Sequence, residues 1–577
     1  MAEAPPRVPG VEARAGRFPG PSLISALTAI QERVGWLPRE ELVALARDVH
    51  RPLYEIEGLI SFYPHFKTAA PERVELRVCH DLSCWLRGGE QRAAALRERY
   101  AADAEVDVVE GSCLGRCDIA PACTVNEVPV PMDAADAAVA ATRDAGPSVH
   151  ANGTHPNGRR GTRPAPASAP ERWPNDPYPT AQDRYAVLRS VLSGDLDTAR
   201  IIAELNAAGL RGMGGAGFPA GRKWDLVAAQ AATPKYVICN ADESEPGTFK
   251  DREILATQPH LVLEGTLLGM LAVGAEEGWI FIRHEYGPEE AVIRQEIEWL
   301  RAAGLAGPDA AGTGRRLSVE VFTSPGGYIL GEESALLECM EGHRGEPRNK
   351  PPFPGVYGLH GKPTLINSVE TFAHVPVIAT RGATWWNEQG NGEHTGLKFF
   401  AISGHVERPG VYCVPMGTSA RELLDLAGGV SGGRPLGAIQ PGGASSNFLG
   451  PDQLDVELDF GTVQDAGSML GSGALVVMAE DTDLLAAAVN VLRFFRDESC
   501  GKCVPCRVGS AKAHAMLSEV VAEGRGPADV ASRIGQLEQV MRRTSICGLG
   551  QVALGPVTSV LKLAAAERNR QGSRDDG

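Results

Sequence analysis

Excess positive charge, long uncharged apolar runs and internal repeats are all missing from this chain of 577 residues. Lys and Arg number 56 against 72 Asp and Glu, a formal charge of −16. A protein that grips nucleic acid through its phosphates needs the opposite sign, so no nucleic-acid partner is expected. No stretch approaches the roughly 18 to 20 uncharged apolar residues of a membrane-crossing helix, so no membrane span is expected. The N-terminal segment has no apolar core of the signal-peptide kind, which predicts a cytoplasmic protein. Without a repeat, the length points to about three to five different domains.

What is present is cysteine in clusters. There are twelve cysteines, and in a cytoplasmic chain of this size tight clusters indicate metal or iron–sulfur ligands and not a disulfide framework. The stretch from Asp497 to Cys506 is D-E-S-C-G-K-C-V-P-C, in which Cys500, Cys503 and Cys506 recur at two-residue gaps, and Cys547 follows in T-S-I-C-G-L-G. A second set pairs Cys79-x4-Cys84 with Cys113-x3-Cys117. Each of these pairs lies in a loop after a predicted strand, where backbone N–H groups can bond cluster sulfurs. The x4 and x3 gaps depart from the C-x2-C zinc knuckle and favour a two-iron cluster, with zinc as the alternative. Cys123, Cys239, Cys339 and Cys413 are scattered and fit buried structural thiols.

The periodicity divides the chain. Residues 1–20 are Pro, Gly and Arg rich and predicted to be disordered. Residues 21–142 combine a small helical bundle, with apolar residues at helical spacing from Leu23 to Ile60, and a strand–helix–strand–hairpin–helix unit. Residues 143–180 are dominated by Gly, Pro, Ser and Thr and are expected to be a linker. Helices and strands alternate over 181–395, the pattern of a layered α/β domain. Short strands with Gly/Pro turns fill 396–480, helices fill 481–566, and 567–577 is expected to be a disordered tail.

Four further motifs carry polar chemistry. L-R-G-M-G-G-A-G-F-P-A-G-R-K-W at 210–224 contains G-x-G-x-x-G (Gly212, Gly214, Gly217). The segment before it is helical, however, and a Rossmann dinucleotide site requires a strand there. The glycine amides with Arg222 and Lys223 still suit a phosphate; a glycine loop without ligand is the alternative. C-N-A-D-E-S-E-P-G-T-F-K-D-R at 239–252 puts Asn240, Asp242 and Glu243 where a strand end opens into a crevice, although such acidic runs also form solvated loop edges. Farther on, Gly331, Glu332 and Glu333 stand at a helix start, where carboxylates complement the helix dipole. Lys350 and Phe353 lie on the stiff proline loop N-K-P-P-F-P-G.

In this order the motifs resemble one family, the NADH- and FMN-binding subunit of respiratory complex I, from about Ala181 to about Leu563, with the counterpart of a companion 2Fe–2S protein joined in front over residues 20–142. The resemblance implies a multidomain α/β protein: a helical bundle plus thioredoxin-like 2Fe–2S domain, an α/β FMN/NADH domain, a β-grasp-like SLBB domain and a helical 4Fe–4S domain. It implies that Cys79, Cys84, Cys113 and Cys117 hold the 2Fe–2S cluster and that Cys500, Cys503, Cys506 and Cys547 hold the 4Fe–4S cluster. FMN would be lined by Gly212, Gly214, Gly215, Ala216, Gly217, Lys223, Asn240, Asp242, Glu243, Tyr328, Gly331, Glu332, Asn367 and Ser368. NADH would be met by Phe218, Glu245, Glu333, Lys350 and Phe353, with Glu333 repelling the 2′-phosphate of NADPH. Three positions depart from the family pattern: Met213 replaces a common arginine, Leu226 an aromatic beside the adenine, and Ser368 a second asparagine.

Fusions of this kind are similar to the diaphorase subunits of NAD-linked hydrogenases and of soluble NAD-dependent formate dehydrogenases, and the retention of all four N-terminal cysteines favours the formate dehydrogenase reading. The resemblance therefore implies a hetero-oligomer with a large molybdenum- or tungsten-pterin formate dehydrogenase catalytic subunit bearing Fe–S clusters. FMN would carry the hydride transfer and no side chain would be catalytic. The alternatives are the diaphorase of an NAD-linked hydrogenase, a fused complex I input module, or a zinc-stapled scaffold without activity.

Overall fold

The computed structural model describes residues 22–145, 172–526 and 528–575. The expected disordered N-terminus, 1–20, and most of the expected linker lie outside the described residues.

Three helices open the described residues, Leu23–Val34, Arg39–Asp48 and Leu53–Ile60. Their apolar stripes, among them Leu27, Leu45 and Ile56, are fully buried. That burial is against Leu330, Leu336 and Phe495 of later domains, in a core separate from that of the sheet that follows. This sheet contains β1 (Val74–Cys79), β2 (Val106–Gly111), β3 (Ala122–Val125) and β4 (Val128–Pro131), ordered β2-β1-β3-β4 with only β1 and β2 parallel. Helices Gly89–Tyr100 and Ala135–Asp144 cover it through Ala93, Leu96 and Val139. Because Cys79 at the end of β1 pairs with Gly111 at the end of β2, both cysteine loops leave the sheet at the same edge.

The central domain is a parallel sheet of β5 (Tyr236–Ala241), β6 (Glu277–Arg283), β7 (Ser318–Ser324) and β8 (Thr364–Ser368), ordered β7-β6-β5-β8. Parallel sheets require cover on both faces. Helix Pro259–Val273 is accordingly apolar all round and almost wholly buried. Strand β8 was not expected from the sequence; its T-L-I-N-S run is too short to separate a strand from a loop.

A second four-stranded sheet, β9 (Leu397–Gly404), β10 (Gly410–Pro415), β11 (Leu436–Gln440) and β12 (Ala474–Ala479), has order β10-β9-β12-β11. The remainder is helical: Leu484–Asp497, Val504–Ala522, Ala528–Thr544, Gly548–Val552 and Gly555–Asp575. Among the described residues one stretch, Gly548–Ala566, is long and apolar enough to cross a membrane. Its Leu549, Leu554, Val557 and Val560 are buried in the core shared with Phe494 and Leu517.

Two boundaries move. Residues 172–180 are no linker but a strap docked on the central domain. The Trp173 indole N–H donates to Thr257 Oγ1 (3.0 Å), Asn175 and Gln258 exchange amide hydrogen bonds, and the Tyr178 hydroxyl donates to Glu264 Oε2 (2.7 Å). Two large aromatics within a polar, Pro-rich stretch supply the apolar area that holds it. The expected tail from residue 567 is helical to Asp575, because most of the residues there are Glu, Arg and Gln, which are good helix formers; residues 576–577 lie outside the described residues.

Candidate functional site

β5 and β8 are parallel neighbours, so their carboxyl ends open at the same edge of the sheet. The crevice outside these carboxyl ends is where open α/β sheets take ligands. Asn240 and Ser368 are register partners there. Asn240 Nδ2 donates to the Gly331 carbonyl (2.9 Å), which draws the turn Tyr328–Gly331 to the same edge.

The glycine loop covers this crevice. Arg211 and Pro219 form a bridge at its neck, and Gly212 N–H donates to Phe218 O (2.9 Å). Gly215 and Gly217 have φ of 114° and 63°, which disfavour any residue with a Cβ. A Cβ on Gly214 would stand 3.1 Å from Ser368 Cβ, so the loop lies on the end of β8. Ala216 is exposed on it. Met213 is buried beneath, with its N–H bonded to Thr371 Oγ1 (2.9 Å). Lys223, on helix Ala220–Ala228, donates to the Ile366 carbonyl (3.0 Å), and burial lowers its pKa. Arg222, the other half of the basic pair, is exposed.

The acidic residues divide into two kinds. Asp242 accepts from Ser244 and Ser324, and burial raises its carboxyl to about 6 against the opposing Arg283. Both Glu243 oxygens are taken by the chain itself, from Asp251 N–H (2.9 Å), Arg252 N–H (3.0 Å) and the Tyr286 hydroxyl (3.0 Å), with burial raising its pKa to about 7. These two therefore build the floor of the crevice. Glu245 accepts from Ser445 N–H (2.7 Å) of the neighbouring domain, and burial lifts it to about 7.

On the open side, Glu332 caps helix Glu333–Met340 through Ser334 and Ala335 N–H (both 2.9 Å). Lys350 Nζ bridges Glu332 (2.6 Å) and Glu333 (2.8 Å); burial alone would lower its pKa, but the two carboxylates outweigh that and raise it. Phe353 and Phe218 are 58% and 40% exposed, unusual for large apolar rings, and Leu226 is exposed on the helix that carries Lys223. Asn367 is buried, and its side-chain Oδ1 lacks a hydrogen-bond partner. A buried orphan acceptor calls for a donor from a ligand, and a flavin, with its ring N–H and anionic phosphate, fits this cradle of Asn367, glycine amides and Lys223.

The four N-terminal cysteines are buried, unbridged and convergent. Cys113 and Cys117 sulfurs lie 3.5 Å apart, and Cys79 reaches both Cys84 and Cys113. Ala122 N–H points at Cys84 Sγ (3.4 Å), and Gly247 N–H, from the acidic loop, donates to Cys117. The C-terminal four also converge, Cys506 beside Cys503 and Cys500, and Cys547 beside Cys500. Leu549 and Gly550 N–H donate to Cys547, and Ser499 Oγ lies 3.2 Å from Cys506 Sγ. Four convergent thiols with N–H donors around them, wholly buried in the first set and partly exposed in the second, suit a cluster of sulfide-bridged irons.

Sequence reasoning missed the clamp between these sites. Arg283 donates to the carbonyls of Glu243 and Cys113 (both 2.6 Å), Arg252 to Gly115 O (2.6 Å) and Asp118, and Arg116 forms a buried two-bond pair with Glu289 (2.9 Å each). Single arginines far apart in sequence leave no pattern. The scattered Cys123, Cys239, Cys339 and Cys413 are free thiols in separate places.

Residues 205–377 match the Nuo51 FMN-binding domain, 17–141 the thioredoxin-like [2Fe-2S] ferredoxin, 399–444 the SLBB domain and 486–570 the NADH-ubiquinone oxidoreductase-F iron-sulfur binding region. The chain is 42% identical to an NADH-quinone oxidoreductase subunit of Rickettsia felis, over 64% of its own length and 88% of that protein's. It is 39% identical to the NADP-reducing hydrogenase subunit HndC of Solidesulfovibrio fructosivorans, over 66% of this chain and 78% of that one. Among solved structures, a chain of an NAD+-reducing [NiFe]-hydrogenase in the H2-reduced state is similar with a TM-score of 0.79 and 31% identity, covering 93% of this chain and 90% of that chain.

Proposed function

This chain belongs to the NuoF-type family of NADH-quinone oxidoreductase subunits, and from that premise we propose that it is the NAD-handling subunit of an NAD-dependent formate dehydrogenase. Its activity is that of an NADH oxidoreductase of the diaphorase type, using FMN, NAD, one 2Fe–2S and one 4Fe–4S cluster as part of a multi-subunit assembly. The proposed partner is a large molybdenum- or tungsten-pterin catalytic subunit with its own Fe–S clusters, in the cytoplasm.

FMN, when bound, exchanges a hydride with nicotinamide and single electrons with the clusters. The chain supplies position and charge. Glycine-loop amides and Lys223 hold the anionic end, and Asn240 and Asn367 present hydrogen-bonding groups at the crevice. Phe218 and Phe353 offer ring faces to a flat base at the entrance. Lys350 leaves the Glu332–Glu333 pair with one net negative charge, which disfavours a 2′-phosphate.

The formate reading rests on one observation, the completeness of both four-cysteine sets in a fused chain. A partner would approach the second set: Cys500, Cys503 and Cys547 are partly exposed, beside Val504 (59% exposed), Val508 and Ile546. The hydrogenase reading is supported by the likeness to the NAD+-reducing [NiFe]-hydrogenase chain across nearly the whole length. The complex, purified by a tag on this chain, is expected to reduce NAD+ with formate and not with hydrogen. Cys547→Ala should abolish that rate while NADH still reduces an artificial acceptor. Reduction of NAD+ by hydrogen alone would assign the chain to a hydrogenase instead.

A further inference from the structure

One helix, Leu484–Asp497, reaches all three redox sites. From its flank, Asn490 Nδ2 (2.9 Å) and Arg493 Nη2 (2.6 Å) donate to the His80 carbonyl, inside the Cys79–Cys84 loop. The Phe494 ring centroid lies 4.9 Å from that of Tyr328 at the crevice. Its C-cap is Glu498, two residues before Cys500. One Glu498 oxygen accepts the hydroxyl proton of Ser112, the neighbour of Cys113, and the other accepts Tyr328 N–H (2.7 Å). These partners are 386 and 170 residues away in sequence.

A carboxylate at a helix C-terminus faces the negative end of the dipole and weakens the helix. Its two long-range hydrogen bonds, each charge-assisted and stronger than a neutral one, are what hold it there. The bonds to His80 leave the other cysteine loop, Cys113–Cys117, untethered to this helix; Glu498 provides that tether.

We infer that Glu498 is a positioning residue for electron transfer, holding the Cys113 loop, the Tyr328 turn and the Cys500 loop in one fixed arrangement. The inference rests on the assignment of Cys113 and Cys500 as cluster ligands under the proposed function. Its test uses the full chain with both clusters, reduced with dithionite, and pulsed EPR to read the distance distribution between clusters together with the g-values of the 2Fe–2S signal. Glu498→Ala is expected to broaden the distribution and shift the g-values, and to slow 2Fe–2S reduction by NADH several-fold, since electron tunnelling slows exponentially as the separation between centres grows.

Glu498→Gln should restore the wild-type distribution and rate. Its carbonyl can accept Tyr328 N–H while its amide donates to Ser112 Oγ, which can serve as acceptor. If Gln behaves like Ala, the charge and not the tether matters, and the inference falls. It falls equally if Ala lowers the melting temperature but leaves the distances unchanged. Should Glu498→Ala lose a cluster, Ser112→Ala decides, with broadening expected and an unchanged distribution overturning the idea. Cys113→Ala and Cys500→Ala test the premise separately: each must remove its own EPR signal, and a surviving signal refutes the ligand assignment whatever Glu498 does.

Discussion

Glu264 shows how a single buried carboxyl shapes the response to pH. It is fully buried beneath the strap, accepting from Leu188 N–H (3.0 Å) and the Tyr178 hydroxyl (2.7 Å), and burial raises its pKa from an ordinary 4.5 to about 7. The folded chain thus binds this proton more tightly than the unfolded one, so the contribution to stability falls as pH rises from about 4.5 through about 7 and is level above that. Glu264→Gln has no charge to lose, and Tyr178 can turn its hydroxyl to accept from the new amide. The variant should melt close to wild type at pH 5 and above it at pH 8, by at most about 3 kcal/mol for a shift of this size. Equal melting differences at the two pH values would refute the assignment. Asp242, Glu243 and Glu245 are shifted the same way by burial, so these three carboxyls keep their protons to a higher pH than ordinary ones.

At the scale of elements, the glycine loop depends on an absence of side chains at particular places. Gly217 has φ of 63°, and a Cβ there would come 2.9 Å from the Phe460 ring. Gly217→Ala therefore meets both backbone strain and a steric contact, at about 1 kcal/mol or more. Because Phe460 belongs to the β-rich domain, the loop would be pushed off the crevice, not merely loosened. The expected outcome is a lower ratio of flavin to protein after gel filtration with cluster content unchanged. Gly194→Ala, whose added Cβ would meet nothing within 4 Å, is the control for the φ effect alone.

The whole molecule is held by buried charge between domains. Arg116 of the first sheet domain and Glu289 of the central domain are 6% and 1% exposed and joined by two hydrogen bonds of 2.9 Å. Breaking such a pair from one side leaves a charge uncompensated, at about 3–5 kcal/mol. Glu289→Ala should split calorimetric unfolding into two transitions, the earlier one belonging to the 2Fe–2S domain, while a single unshifted transition would show that Arg252 and Arg283 suffice. A second hub joins the central and β-rich domains. Lys398 and Lys250 converge on Glu370 at 2.6 and 2.9 Å, all fully buried.

Periodicity located most of the elements, and spacing singled out the two cysteine sets that the fold brings together. Amphipathic spacing located the first three helices, alternation located β1 and β2, and cysteine gaps marked both clusters, because these signals are local and repeat within a few residues. The strap 172–180 escaped notice since two aromatics in a polar stretch carry no period, and β8 was too short to declare itself. What only the tertiary structure decided is which distant residues meet. The parallel register of Cys79 with Gly111 brings four cysteines to one edge, and the parallel pairing of β5 with β8 brings Asn240 to Asn367 and the glycine loop. Arg283 between Glu243 and Cys113, and Glu498 between Ser112 and Tyr328, are single side chains acting across hundreds of residues. Such contacts depend on the packing of whole domains, and a one-dimensional pattern cannot encode them.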